Sequence, residues 1–342
     1  MNKVLIIYGP TATGKTSLAI NLADKFNGEL ISADSRQVYK GLDIGSGKVS
    51  YSSKVERHKG YWNVDGIKIH GFDLVSPGQR FSVFDFLNFT NTTMIQIIGV
   101  KKIPIIVGGT GFYIKALIDG IETVGIPANQ KLRDQLEKLS TDQLYQKLRK
   151  LDPKRTKMMN ESDRQNPRRL IRAIEIALST SSSVSHTGVA TTTISALSSV
   201  ESRSYRSVPL RSRMTNYLLF GLTASNSYLY SRVDTWLEER LSHGMIGEIR
   251  SLADQKVDSQ WLDDLGLEYR WISRYISGKV SWQEAIDRLW GDIHSFIRRQ
   301  KTWFKKFEEI YLYDISKPNW QKELEKKLDL LLFYDSKKYQ IA

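Results

Sequence analysis

The feature that most constrains the fold is the segment IIYGPTATGKTSLAI at residues 6–20, where an apolar run ends at a glycine-rich loop. The loop follows the pattern Gly-x-x-x-x-Gly-Lys-Thr. In such a loop the backbone N–H groups surround an anion, the lysine places a cation on the terminal phosphate, and the threonine hydroxyl can ligate Mg²⁺. A buried strand before the loop and a helical pattern after it are the context that this motif requires. The segment therefore predicts a site for a di- or triphosphate, formed by Gly9, Pro10, Thr11, Ala12, Thr13, Gly14, Lys15 and Thr16.

Strands and helices alternate through the first third of the chain. Short apolar runs at residues 3–8, 28–35 and 103–107 are typical of buried parallel strands, and a fourth such run follows at 216–225. This alternation predicts an α/β fold, a P-loop NTPase-like parallel sheet flanked by helices, with the functional loops at the carboxyl ends of the strands.

The texture changes between residues 121 and 205, where leucines recur at helical spacing among many charges. We expect two domains: a catalytic core of residues 1–120 and 206–342, with helices in its C-terminal part, and a helical insertion domain at 121–205. The Ser- and Thr-rich stretch at 179–200 is interpreted as a flexible loop or a locally disordered segment.

Composition excludes several kinds of site. The chain has no cysteine, which excludes disulfides, thiolate metal sites and a Cys nucleophile. Its five histidines show neither metal-ligand spacing nor a Ser-His-Asp arrangement. The apolar run at the N-terminus is too short for a signal peptide or a membrane span, so we expect a cytoplasmic protein with no membrane partner.

The balance of charge is strongly basic, with 50 Lys and Arg against 37 Asp and Glu and a formal net charge of +13. A polyanion such as nucleic acid would be attracted by this charge, although solubility alone also explains it. Arg168, Arg169 and Arg172 share one predicted helix, and a second basic cluster lies at residues 298–306.

An NTPase of this class usually presents a second carboxylate at the end of another apolar strand, to hold Mg²⁺. Here the strand at 103–107 ends instead in Gly108, Gly109 and Thr110, and the acid that follows a strand is Asp34. Asp34 is interpreted as a base toward an acceptor group or as the cap of a helix. Arg232, near the start of a predicted helix, either turns toward the phosphates or lies on a solvated face.

Together these motifs resemble the tRNA dimethylallyltransferases, also called tRNA isopentenyltransferases. The resemblance rests on segments in the family's order from residue 4 to about residue 307: GPTATGKTSLAI, ELISADSRQVYKGLDIGSGK, IHGFDLVSPGQRFSVFDF, IPIIVGGTGFYIKALIDG, NPRRLIRAIEI and RRQKTWFKKF. Residues 265–279 depart from it, since LGLEYRWISRYISGK stands where family members often carry Ile-Gly-Tyr-Lys-Glu.

The resemblance implies that the loop holds diphosphate as a leaving group while a dimethylallyl group passes to N6 of adenosine 37 beside the tRNA anticodon. By position, Asp34 is implied as general base, Thr110 lies at the entrance of the reaction channel, and Lys15, Thr16 and Arg232 hold diphosphate and its Mg²⁺. The residues implied in tRNA contact are Asp34, Ser35, Arg36, Gln37, Thr110, Arg133, Arg168, Arg169, Leu170, Ile171 and Arg172. The implied partners are the tRNA anticodon stem-loop and dimethylallyl diphosphate, and a monomer is expected.

Three other functions remain open from the residues. A relative could prenylate free AMP or ATP, although the long basic insertion argues against a free nucleotide as acceptor. A small-molecule kinase could use the same loop with Asp34 as its base. An RNA-binding protein could also retain the loop without activity, but then an intact Lys15, Thr16 and Asp34 would have no purpose.

Overall fold

The computed structural model of the chain describes residues 3–48, 50–121, 126, 128–184, 210 and 216–333. The chain divides into two compact units, the first formed by Met1–Gly120 with Ser207–Ala342 and the second by Ile121–Arg206. No helix in these described ranges combines the length and the apolar character that crossing a membrane requires.

The first unit is built on a sheet in which eight strands are described. In chain order they are β1 (Lys3–Tyr8), β2 (Gly28–Ser32), β3 (Val55–His58), β4 (Tyr61–Val64), β5 (Ile67–His70), β6 (Ile103–Gly108), β7 (Asn216–Thr223) and β8 (Tyr311–Asp314). Their order across the sheet is β3-β4-β5-β2-β6-β1-β7-β8. The six neighbouring strands β5, β2, β6, β1, β7 and β8 pair in parallel, while β3, β4 and β5 form an antiparallel meander.

The centre of this sheet is covered on both faces. Residues 4–8 of β1 are all buried, as a β-branched run between two layers of helices should be. Leu5 lies opposite Ile105 of β6 and Leu218 of β7, which fixes the register of the three central strands. Three helices accompany this part of the chain: α1 (Lys15–Phe26), α2 (Val83–Gly99) and α3 (Gly111–Asp119). The α/β fold expected from the alternation of strands and helices is therefore confirmed.

The second unit is helical in its described part. Its helices are α4 (Gln130–Leu136), α5 (Thr141–Leu151), α6 (Pro153–Met158), α7 (Glu161–Arg164) and α8 (Pro167–Val184). A small core holds them together, formed by Leu136, Leu144, Leu148, Leu170, Ile171, Ala173 and Ile174. The interpretation of residues 179–200 as a flexible loop is wrong at its start, since α8 continues through Val184. The remainder of that stretch lies outside the described residues.

After the second unit the chain returns to the sheet through β7 and then becomes mainly helical. The helices are α9 (Asn226–Ser242), α10 (Met245–Asp254), α11 (Ser259–Leu265), α12 (Leu267–Ile276), α13 (Trp282–Thr302) and α14 (Trp320–Phe333). Because β2, β6 and β1 are adjacent and parallel, the loops that follow them meet at one edge of the sheet. That edge carries the site described next.

Candidate active site

The loop after β1 has the backbone that a phosphate-binding loop needs. Ala12 and Gly14 both adopt positive φ angles, of 63° and 77°. The hydroxyl of Thr13 donates to the carbonyl of Pro10 at 2.8 Å, which closes the loop on itself. Gly9 leaves no room for a side chain, because a Cβ there would lie 2.9 Å from Thr13 Oγ1 and 3.0 Å from the Leu222 carbonyl of β7. The loop is therefore fixed by local contacts and by the adjacent strand.

Lys15 is the first residue of α1, and its Nζ donates to the Pro10 carbonyl at 3.2 Å. Burial, together with the nearby charges of Arg36 and Arg240, lowers the pKa of Lys15 to about 8, although Asp34 acts in the opposite direction. A cation in this situation is stabilised by any anion that binds beside it. The half-buried Thr16 follows on the same helical turn.

Arg232 lies on the exposed side of α9, and its Nε donates to the carbonyl of Ala12 at 2.8 Å. Of the two sequence interpretations, the structure therefore has Arg232 turned toward the phosphate loop. Its guanidinium adds a second cation beside Lys15 at the same loop.

Asp34 follows β2 and immediately precedes a turn at residues 35–38, so it does not cap a helix. One carboxylate oxygen, Oδ1, accepts the Arg36 backbone N–H at 2.9 Å, which fixes the orientation of the side chain. The other oxygen, Oδ2, has no hydrogen bond within the described part of the chain. The half-buried carboxylate thus has one oxygen held and one oxygen able to accept a proton.

Thr110 joins the turn after β6 to the turn after β2. Its Oγ1 accepts the Ser35 N–H at 3.1 Å, and its own N–H donates to the Ala33 carbonyl at 3.2 Å. Gly108 packs so closely on the backbone of Ala33 that a Cβ would overlap it. This close approach of β6 to β2 brings Asp34 and Thr110 together at the edge where the phosphate loop lies.

Gln300, near the end of α13, is a central residue of the site that the sequence reasoning missed. It is only 3% exposed, and its Oε1 accepts the Thr11 N–H of the phosphate loop at 3.0 Å. Its Nε2 donates to the Gly109 carbonyl at 3.0 Å, and its backbone carbonyl accepts the Tyr8 hydroxyl. One side-chain amide thereby connects the phosphate loop to the turn that carries Thr110. The available signal was an uncharged polar residue on the buried stripe of an otherwise amphipathic helix.

The Arg36 and Gln37 side chains are occupied by contacts inside the first unit. Arg36 Nη1 lies 2.7 Å from Glu268 Oε2 of α12, and both side chains are buried. Burial opposes the charge, but Glu268 and Asp34 hold the pKa of Arg36 above its usual value. Gln37 accepts the Ser32 hydroxyl at 2.6 Å and donates to the Gly47 carbonyl at 2.9 Å. Glu268, the counter-ion of Arg36, lies in the segment 265–279, which is expected from the sequence to depart from the family pattern.

The block GLDIGSGK at residues 41–48 folds around two charged side chains, the half-buried Glu248 and the buried Lys48. The Glu248 carboxylate accepts backbone N–H groups of Asp43, Ile44 and Gly45 at 2.6–3.0 Å. Lys48 is fully buried, and its Nζ bonds Asp43 and the Tyr39 carbonyl at 2.7 and 2.8 Å, with Asp73 as a third partner. The block therefore supports the Asp34 turn and does not itself form a phosphate site.

In the second unit, the arginines expected to meet tRNA differ in their surroundings. Arg133 and Arg172 both pair with Glu175, which is almost fully buried, at 2.7 and 2.6 Å. Arg168 and Arg169 are exposed, and Arg169 also pairs with Asp163. The remaining two residues of the run, Leu170 and Ile171, are buried in the core of this unit. Their side chains hold α8 in place and do not lie on a surface that could meet RNA.

The basic end of α13 is partly engaged as well. Arg298 Nη1 donates to the Tyr230 hydroxyl at 2.7 Å, and Lys301 Nζ donates to the Ala224 carbonyl at 2.8 Å. Trp303 packs against Gly111 at the start of α3, with the Lys306 ammonium 3.9 Å from its ring centroid. Trp303 therefore packs within the first unit.

Comparison with known proteins gives a consistent result. A sequence model of the IPP transferase family matches residues 37–307, and one of the isopentenyl transferases matches residues 2–69. A tRNA dimethylallyltransferase of Acetivibrio thermocellus is 34% identical over 315 residues, 91% of either chain. The solved tRNA isopentenylpyrophosphate transferase of Bacillus halodurans superposes with a TM-score of 0.64 at 29% identity, covering 97% of this chain and 96% of that chain. A eukaryotic dimethylallyltransferase solved acting on tRNA gives a TM-score of 0.72 at 23% identity, covering 97% and 80%, and at this identity it supports the fold alone.

Proposed function

The chain belongs to the IPP transferase family, and from this premise we propose that it transfers a dimethylallyl group from dimethylallyl diphosphate to N6 of adenosine 37 of tRNA. The products are N6-isopentenyladenosine in tRNA and diphosphate. One observation carries the proposal: the phosphate loop, Asp34 and Thr110 occupy the ends of three adjacent parallel strands. A leaving-group site and a proton acceptor therefore lie side by side.

The phosphate loop is the site of the leaving group. As the bond between the allylic carbon and oxygen breaks, negative charge grows on the diphosphate, and cations aimed at those oxygens act where the transition state needs them. Lys15 and Arg232 provide two such cations at the loop. Because the transferred group is a carbon chain, no second carboxylate for phosphoryl transfer is required at the end of β6.

Asp34 is the proton acceptor of the proposed reaction. The adenine amine is a poor nucleophile, since its lone pair is delocalised into the ring. As N6 forms its bond to the allylic carbon, the amine proton passes to Asp34 Oδ2, and the electrons of the broken C–O bond leave with diphosphate. The hydrogen bond from the Arg36 N–H to Oδ1 holds the carboxylate in place for this transfer.

Mg²⁺ is proposed as the cofactor, with Thr16 as its protein ligand. In the described part of the chain no group of three or more His, Asp or Glu side chains could hold a metal ion by themselves. A single protein ligand, the hydroxyl of Thr16, suits a Mg²⁺ ion that is bound mainly through substrate phosphates and water. When bound, the ion would neutralise charge on the departing diphosphate.

The tRNA is proposed to bind through its anticodon stem-loop, attracted by the net charge of +13. The target base must leave its stack to reach a site inside the protein, and contacts to backbone phosphates offset that cost. The exposed Arg168 and Arg169 suit such contacts. Arg133 and Arg172 form ion pairs with Glu175, so they would contact an RNA phosphate while still bound to this carboxylate. We also propose that the protein is a monomer and that it works in the cytoplasm.

The test is transfer of label from radioactive dimethylallyl diphosphate to unmodified tRNA, to AMP or to ATP. We expect label in tRNA, and we expect Asp34→Asn to lower kcat by about a hundredfold or more because general base catalysis is lost. A matched control is Asp254→Asn, an exposed acid at the end of α10. Label in free nucleotide alone, or ATP-dependent phosphorylation without prenyl transfer, would overturn the proposal.

A further inference from the structure

Arg240 on α9 is a buried cation whose donors are not all used. It is 5% exposed, and its Nε and Nη1 are enclosed with no hydrogen-bond partner. No carboxylate within ion-pair distance of it is found in the described part of the chain. Its guanidinium lies over the Trp236 ring, 3.6 Å from the ring centroid. Buried arginines are almost always paired, so this one requires an explanation.

The position of Arg240 relates it to the phosphate loop. Arg232, Trp236 and Arg240 follow each other at intervals of four along α9, so they share one face of the helix. Arg232 already bonds the phosphate loop at Ala12. Long side chains on a helix lean toward its N-terminus, and the stack of Arg240 on Trp236 shows that lean, toward the end of α9 that carries Arg232.

The protein is also shaped around this side chain. Gly47, at a φ of 68°, packs so closely against Arg240 Nη2 that a Cβ there would overlap it. The Gly47 carbonyl in turn accepts from Gln37, in the run that begins at Asp34. Space for the guanidinium is thus kept by the same turn that supports the proton acceptor.

The charges around Arg240 favour the binding of an anion. Burial lowers the pKa of Arg240 to about 10, despite the opposing effect of Glu268, and the charge of Arg240 is one of those that lower the pKa of Lys15. Glu268, the buried acid that opposes this lowering, is already paired with Arg36. Lys15, Arg36 and Arg240 repel one another, and the acids beside them are the buried Glu268 and the half-buried Asp34. This excess of positive charge is unfavourable until an anion binds.

We propose that Arg240 is a third cation of the diphosphate site, beside Lys15 and Arg232, and that it binds the diphosphate of the allylic donor and of the product. This inference rests on the proposed function. Arg240 is only 5% exposed, and a small diphosphate can approach a buried guanidinium more readily than a polynucleotide backbone can, which favours it over a tRNA phosphate as the ligand. The two enclosed donors become available when the guanidinium rotates on its stack with Trp236. No covalent step is assigned to Arg240.

The test measures binding of inorganic pyrophosphate by titration calorimetry together with the thermal unfolding midpoint. Arg240→Met keeps the length and apolar character of the side chain, and Arg250→Met, an exposed arginine on α10, is the matched control. We expect the Kd of pyrophosphate to rise at least tenfold in Arg240→Met, with a Tm equal to or above that of the wild type. The control should change neither quantity.

The combination is informative because a purely structural arginine would behave in the opposite way. A lowered Tm with unchanged pyrophosphate affinity would show that Arg240 only packs on Trp236, and would overturn the inference. Weakened tRNA binding with unchanged pyrophosphate binding would assign the ligand to an RNA phosphate and also overturn it. If Arg240→Met does not fold, Arg240→Gln removes the charge while keeping hydrogen-bonding groups, and an unchanged pyrophosphate Kd in that folded variant would overturn the inference.

The outcomes for this inference and for the proposed function can be distinguished. Pyrophosphate affinity that depends on Arg240, in a wild-type protein that prenylates no tRNA, supports the inference and removes the proposed function. Prenyl transfer to tRNA by the wild type, with unaltered pyrophosphate affinity in Arg240→Met, retains the function and removes the inference.

Discussion

Replacing Gln300 by leucine removes a side chain that bonds both the phosphate loop and the turn that carries Thr110. The Thr11 N–H and the Gly109 carbonyl each lose a partner at about 3.0 Å. An orphaned buried group costs about 1–3 kcal/mol. Thr11 is only partly buried and regains some hydration, so we expect a total of about 2–4 kcal/mol. For a unit of this size that corresponds to a Tm lower by roughly 4–12 °C.

The kinetic effect of Gln300→Leu should exceed what this loss of stability explains. Once the loop and the turn are free to separate, the leaving group and the proton acceptor are no longer held in register, and a displacement of about 1 Å costs on the order of a hundredfold in rate. We expect kcat to fall by about 10- to 100-fold, while the Kd for tRNA changes less than about twofold, since Gln300 does not reach the surface.

The assay is single-turnover prenyl transfer at a temperature where the variant is fully folded. Gln283→Leu is the matched control, because that glutamine lies on the same helix and is exposed. Gln300→Glu adds a second readout. A buried carboxyl has a raised pKa, and its protonated form can still accept from Thr11 and donate to Gly109, so its activity relative to wild type should rise as the pH falls. A lowered Tm in Gln300→Leu with an unchanged single-turnover rate would refute the reasoning.

Three further predictions concern buried charges. In the ligand-free protein Lys15 has a pKa of about 8, so it loses its proton as the pH rises above 8. Calorimetry should therefore show the Kd of pyrophosphate rising by up to about tenfold per pH unit above 8, whereas the Kd of the always-charged Lys15→Arg variant should not rise in this way. Glu268→Gln leaves Arg36 buried without a counter-ion, which should cost about 3–5 kcal/mol in denaturant unfolding, and pairing it with Arg36→Met should recover most of that loss. Burial acts to raise the pKa of Glu175, but its two arginine partners lower it to about 2. The lowered pKa of Glu175 contributes up to about 3 kcal/mol to the stability of the second unit, fully present above pH 4.5 and lost as the pH falls toward 2. Hydrogen exchange of α5 and α8 should show this pH dependence in the wild type, and it should be weaker in Glu175→Gln.

The sequence was sufficient for features that depend on near neighbours. The phosphate loop is one of them, because its glycines, lysine and threonine lie within eight residues, and the strand and helix on either side follow from local apolar patterns. The placement of Asp34 and Thr110 at one edge was also within reach, since parallel strands bring their carboxyl ends together. The alternative role of Asp34 as a helix cap was excluded only by the structure, which has a turn there.

Pairings between distant segments could not be read from the sequence. Gln300 meets Gly109 across 191 positions, and Arg36 meets Glu268 across 232. Arg133, expected at tRNA, is held by Glu175 of another helix. Each of these contacts depends on how helices pack on the sheet or on one another, and the local pattern of polar and apolar residues is compatible with many such arrangements.

By itself, the sequence determined the chemistry available to this protein: a phosphate loop, one acid after an adjacent strand, and a basic surplus that suits a nucleic acid. Only the tertiary structure decided which polar groups are used to hold the site and which remain for a ligand. In the tertiary structure Gln300 and Glu268 support the site. Asp34 Oδ2 and the Nε and Nη1 of Arg240 have no hydrogen-bond partner in the described residues. The physical reason is that burial makes an unpaired polar group costly, and burial is a property of packing, which only the folded chain defines.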